Sequence, residues 1–201
     1  MVERILDAGR AVLLERGYEG ASTNRIAEAA GISPGSLYQY FPDKDAVLAE
    51  VLDRYVDGLE ARIARAFLDT LDAPGAPESV RRTVVALLDA FGEHPGLLRV
   101  LVEQLPRGGA DRRTRFAHRI DELAATALRA RPGAAGGRPV GAVAWIVVRT
   151  VEHVTISYVL EAPRVERDEV VDELTALVVG YLDGRGPTPG RREPGPISPQ
   201  L

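Results

Sequence analysis

The chain has 201 residues, 45% of them hydrophobic and 27% charged, a balance typical of soluble globular proteins and long enough for a buried core. It contains no cysteine, which excludes disulfides, thiol chemistry and cysteine-ligated metals. A net charge of −4 provides no general attraction for nucleic acid, so any such binding must use a locally arranged surface.

The periodicity is helical throughout. Ile5, Ala8 and Val12, with Leu6 and Leu13, form the apolar stripe of a first helix that Gly17 ends. Ser22 or Thr23 can cap a short second helix carrying Ile26, Ala27 and Ala30, which Gly31 stops. Ser33 and Pro34 restart a third, as N-cap and first helical residue, and about two turns later Pro42 and Asp43 end it and cap the next. The fourth is expected from Lys44 to about Leu71, with Leu48, Val51, Leu52, Tyr55, Val56, Leu59 and Ile63 on its apolar side.

Residues 72–77 read as a loop leading to a fifth helix that ends near Phe91, and a short sixth contains Leu97, Leu98, Leu101 and Val102. A seventh, about Asp111 to Arg131, is arginine-rich on one face and carries Phe116, Ile120, Leu123 and Ala127 on the other. A flexible connection over 131–139 precedes two longer helices, about Val140 to Glu161 and Val165 to Asp183. Arg149, Glu152 and His153 interrupt the most apolar stretch, so no membrane span is expected there. Glu3, Arg4 and Asp7 likewise argue against a secretory leader, and the expected location is the cytoplasm. The reading is all-α with about nine helices: a three-helix head over 1–45, a helical body over 46–184 and a disordered Pro- and Gly-rich tail over 185–201.

Two short helices joined at Gly31 have the spacing of a helix-turn-helix, whose second helix enters the major groove of DNA. Ile26, Ala27, Ala30, Ile32, Leu37 and Phe41 would form its core, leaving Pro34, Gly35, Ser36, Gln39 and Tyr40 exposed, with Tyr38 at the margin. Gln39 can donate and accept at an adenine, and Ser36 can bond to a base or a phosphate. Lys44, the single lysine, stands at a helix start where a phosphate would meet both its charge and free N–H groups; Ser22 and Thr23 occupy a similar position. The pattern alone equally describes two short core helices.

The segment GYEGASTNRIAEAAGISPGSLYQYFPDKDAVL resembles the N-terminal signature of the TetR family of transcriptional regulators. The resemblance runs through Gly17-Tyr18, Ser22-Thr23, Ile26-Ala27, Ala30 to Ser33, Gly35 to Tyr38, Phe41, Lys44 and Leu48. It implies a homodimer that binds a palindromic operator in double-stranded DNA and usually represses. It also implies phosphate contacts from Thr23, Tyr38, Tyr40 and Lys44, and base contacts within reach of Asn24, Arg25, Pro34, Gly35, Ser36 and Gln39. Ser22 and Ser33 complete the candidate DNA-binding set. Tyr40 departs from the family, which often has histidine there. A basic N-terminal arm is not expected before the first helix, so Arg25 becomes the best candidate for a charged base contact.

The eighth helix is apolar on more than one side and the ninth is similar, as two helices meeting their dyad mates would be. The expected dimer interface is Val147, Val151, Val154, Tyr158, Leu174, Leu177, Val178 and Tyr181. By resemblance, an effector is held among the fourth to eighth helices and moves the fourth; a mostly aliphatic lining with few aromatics suggests a small or medium lipophilic one. The candidate lining is Tyr55, Leu59, Leu98, Val102, Phe116, Ile120, Trp145, Arg149 and His153. The three histidines, His94, His118 and His153, form no HExxH pair, and no G-x-S-x-G, P-loop or dinucleotide glycine motif occurs, so no catalytic residue, metal or cofactor is expected. An interaction module whose head does not read DNA is the other alternative.

Overall fold

The computed structural model describes residues 1–69, 75–104, 110–130 and 135–184, with side chains from 118 onward in the third stretch. The expected loops at 72–74 and 131–134 and the expected tail at 185–201 lie outside them. Among the described residues there are nine α-helices and no strand. They are α1 Val2–Gly20, α2 Thr23–Ala29, α3 Pro34–Leu37, α4 Lys44–Asp69, α5 Ala76–Gly92, α6 Pro95–Arg99, α7 Ala110–Arg129, α8 Val140–Glu161 and α9 Arg167–Leu182. A π-helical turn, Val100–Gln104, continues α6 directly.

The expected stops operate as local chemistry dictates. Gly17 has φ 69° and ψ 178°, a conformation open essentially to glycine alone, and it kinks the end of α1. Gly31, at φ 63°, makes the turn between α2 and α3. Ser22 Oγ accepts from the Arg25 amide (3.3 Å) and Ser33 Oγ from the Ser36 amide (3.1 Å), capping α2 and α3. Asp43 Oδ1 accepts from the Ala46 amide (2.8 Å), so the residue that ends one helix caps α4.

The head closes over Ile5, Leu13, Ile26, Ala27, Leu37 and Leu48, all fully buried. α1 packs on α4, and α2 on both α1 and α3. Below the head, α5 lies against α4, α8 and α9, while α7 packs on α8. The Arg81–Asp172 and Arg167–Asp89 ion pairs join α5 to α9 along their exposed edges.

The head has two attachments to the body. One is α4 itself. The other is α6 with its π-turn, which meets α1: Arg10 Nη2 lies 3.2 Å from His94 Nδ1, and Tyr18 donates its amide to Gln104 Oε1 at 3.2 Å. Gly96 packs so closely on α1 that a Cβ there would fall 2.6 Å from Leu14 Cδ2. Arg99 in turn donates to the Leu160 carbonyl (2.6 Å), tying α6 to the end of α8.

One expectation about α8 needs correction. By length and a mean hydropathy of 1.3 it does reach the composition of a membrane span. Packing accounts for part of the composition: Val143, Ala144, Val148, Val151 and Thr155 are buried against neighbouring helices, and Arg149 pairs with carboxylates on α7 and α8.

Candidate functional site

The third helix is one α-helical turn, extended by the Tyr40 and Phe41 amides donating to the Leu37 carbonyl at 2.9 and 3.0 Å. Leu37 anchors it from below at 0% exposure, beside Ile26 and Ala27 of α2. Because Leu37 points inward, the residues on either side of it point out. Pro34, Gly35 and Gln39 are exposed, and Ser36 is half-buried with its hydroxyl 2.9 Å from that of Ser33. Tyr40 is 45% exposed. Tyr38, expected at the margin, is more open still at 55%.

Around this face, Asn24 and Arg25 are exposed on α2, with Ser22 and Thr23 half-buried at its start. Arg25 turns back and donates to the Gly20 carbonyl, so its guanidinium is held at the end of α1 rather than extended. Lys44 is likewise engaged within the chain. Its ammonium donates to the Tyr18 carbonyl at 3.2 Å and stands 5.2 Å from the centroid of the Tyr18 ring. The Tyr18 hydroxyl donates to Asp45 Oδ1 at 3.0 Å. Burial first, then that bond to a carboxylate, push the Tyr18 phenol up to about 12. Reasoning from residues gave Tyr18 no function; the only signal was its place in the Gly17-Tyr18 pair of the family signature.

In the body, a cavity of about 250 Å³ opens between α4, α5, α7, α8 and α9. Ile63, Val84, Leu87, Phe91, Ile120 and Val148 are among its walls. Of the nine residues expected to line an effector site, Ile120 is in the wall of this cavity. Tyr55, Leu59 and Leu98 are instead buried in the core, and Val102 is packed against it. Arg149 stands behind the wall, bonded to the cavity residue Glu152. His153 is exposed, and Trp145, at 55%, faces outward. The Phe116 side chain lies outside the described residues.

The expected dimer residues divide in the opposite sense. Val147, Val151 and Val178 line the cavity; Val151, Val178 and Leu174 are buried and present little surface to a partner, while Val147 is half-buried. Val154, Tyr158 and Tyr181 are half-buried and Leu177 is 56% exposed. Ile146 and Trp145 add exposed apolar surface on α8. A helix apolar all round cannot reveal from its period which side meets a cavity and which meets solvent.

Two sequence profiles cover the head and the body. Residues 5–51 match bacterial regulatory proteins of the tetR family, and residues 77–182, more than half of the chain, match the tetracyclin repressor-like C-terminal domain. The chain belongs to the TetR family. Among its relatives is the HTH-type transcriptional repressor KstR of Mycolicibacterium smegmatis, 39% identical over 66 residues, which are 33% of this chain and 32% of KstR. The transcriptional activator FasR of the same organism is 36% identical over 91 residues, 45% of this chain and 40% of FasR. Matches to the first of these curated relatives thus span between about a third and half of their length. A TetR-like regulator from Rhodococcus sp. RHA1 superposes with a TM-score of 0.65 at 27% identity, covering 90% of this chain and 95% of that one. The transcriptional regulator FadR of Bacillus subtilis, solved with stearoyl-CoA, superposes at 0.64 and 18% identity over 89% and 98%, a likeness of fold alone.

Proposed function

We propose that this TetR-family protein is a homodimeric repressor in the cytoplasm that binds a palindromic operator through α3 and leaves it when a small lipophilic effector enters the cavity. The observation that carries the reading is the outward face of α3. Gln39, Tyr38, Tyr40, Pro34 and Gly35 stand free of the core while Leu37 holds the helix from beneath. Gln39 presents a donor and an acceptor suited to an adenine edge, and the two phenols suit phosphates on either side.

One head offers half a site, so a two-fold pair of heads about 35 Å apart, one helical turn, would read an inverted repeat. The exposed Leu177 on α9, with Trp145 and Ile146 on α8, supplies apolar surface for the pairing. The nearly apolar cavity supports a lipophilic effector. Its walls include Ile63 and Phe67 of α4, the helix that carries the head, so occupancy would bear directly on head position. Repression is favoured over activation because KstR is named a repressor, although FasR, of comparable similarity, is an activator.

Selection of binding sites from random duplexes with the purified protein tests the reading. Enrichment of an inverted repeat supports it; a protein that enriches no sequence counts against it. A reporter behind the recovered site, assayed with and without the gene, gives the direction of control, and lower expression without the gene would overturn repression.

A further inference from the structure

Among the described residues the cavity wall carries one charged side chain, Glu152. The two other polar residues in that wall use their hydroxyls on their own helix: Ser79 Oγ donates to the Gly75 carbonyl (3.0 Å) and Thr83 Oγ1 to the Ser79 carbonyl (2.9 Å). Their protons are engaged, so Glu152 is the one charged group among the described residues that the polar end of a ligand in this cavity can meet.

Glu152 does not stand alone. Arg149, one turn earlier on α8, donates to Glu152 through Nη1 and to Asp121 Oδ2 on α7 through Nη2, the latter at 3.0 Å. One guanidinium thus serves two carboxylates, and the cluster keeps a formal charge of −1. The other Asp121 oxygen, Oδ1, is buried with no hydrogen-bond partner among the described residues. A half-buried network with more acceptors than donors is left short of protons to share. Nearby, Arg119 on α7 is occupied by Glu60 of α4, and His118 and His153 are exposed.

The geometry points to a ligand subsite at Glu152, backed by Arg149 and Asp121, that takes the hydrogen-bond-donating end of an apolar chain, a hydroxyl or an ammonium, in preference to a carboxylate. A donor at this point satisfies free acceptor capacity. A carboxylate there adds a third negative charge, or displaces Glu152 or Asp121 from Arg149 and leaves it unpaired in a poorly solvated wall. The inference rests on the cavity being the effector site, and the experiment separates the two claims.

The full chain is loaded with the fluorescent probe N-phenyl-1-naphthylamine and competed with decanol, decylamine or decanoate, which share a chain and differ at its end. The expected result is that decanol and decylamine displace the probe at concentrations about tenfold below decanoate, a difference of about 1.4 kcal/mol. Glu152→Gln keeps an oxygen for Arg149 and removes the charge, so decylamine should weaken, decanoate should strengthen and the gap should close. If Glu152→Gln does not fold, as judged by circular dichroism, Asp121→Asn makes the same test. Decanoate competing as well as the other two, or a gap unchanged in the variant, would overturn the donor preference while leaving a lipophilic effector in place. Failure of the chain to take up the probe or any of the three compounds would overturn both claims.

Discussion

Lys44 donates to the Tyr18 carbonyl at 3.2 Å, so the single lysine of the chain joins the start of α4 to the end of α1. The carbonyl it meets lies at a helix end, where partial negative charge accumulates, and the Tyr18 ring beneath adds a cation–π contact. The same Tyr18 gives its amide to Gln104 of the π-turn and its phenol to Asp45. Tyr18 is thus where α1, α4 and the body meet.

The lysine is therefore expected to serve fold and DNA together, since an ammonium has three donors and the carbonyl takes one. Lys44→Ala should cost about 1 kcal/mol of stability, seen as a lower urea midpoint. It should also weaken DNA binding evenly across sequences and reduce the salt slope by about one for each lysine that neutralises a phosphate. An unchanged salt slope would confine Lys44 to the structural role.

Gly17→Ala should be among the more damaging single-methyl changes in the head. The conformation at φ 69° and ψ 178° costs a side-chain-bearing residue about 1–3 kcal/mol, and the new Cβ would lie 3.0 Å from Gln104 Oε1. Thermal unfolding checks the loss. Gln104→Ala, which removes the acceptor for the Tyr18 amide without backbone strain, should lose less.

Tyr55 carries a buried hydroxyl without a hydrogen-bond partner among the described residues, and burial pushes its phenol up to about 12. Tyr55→Phe should consequently stabilise the protein by about 1 kcal/mol at neutral pH. Both Tyr55 and Tyr18 have folded-state values above the ordinary value of 10.0. Each phenol therefore ionises in the unfolded chain before the folded one, so stability is unaffected by them below pH 10 and declines as pH rises from there through about 12. Urea midpoints at pH 8 and pH 11 should show a smaller alkaline decline in Tyr55→Phe than in the wild type. A destabilised variant would mean that the hydroxyl has a partner after all.

Two leucines three residues apart on α9 should behave oppositely. Leu177, 56% exposed, can accept a charge without disturbing its own protomer, so Leu177→Asp should yield a folded monomer by sedimentation. Leu174 is 4% exposed, and Leu174→Asp should unfold the protein by burying an unpaired charge. A Leu177→Asp protein that remains dimeric would place the pairing surface elsewhere.

The head was readable because its signals are local. Ser22, Gly31, Ser33-Pro34 and Asp43 act within three or four residues, and each makes the cap or turn its type suggests. Lys44 was placed correctly at the start of a helix, but its partner is 26 residues away and no periodicity points to it. The body was harder for a different reason. With α8 apolar all round, Val147 and Val151 read as interface and Trp145 as pocket, whereas Val147 and Val151 line the cavity and Trp145 is exposed. Glu152 stood out as a charge in an apolar helix, but its place in the cavity wall depends on α5 and α7, which the sequence of α8 does not contain.

The most direct test of DNA reading by α3 is an anisotropy titration of the wild type and Gln39→Ala against a selected inverted repeat and a scrambled duplex at one salt concentration. The wild type should prefer the repeat by about a thousandfold or more, and Gln39→Ala should lose about 1–3 kcal/mol of that preference, concentrated at one base pair of each half-site. Equal affinity of the wild type for both duplexes would contradict the account.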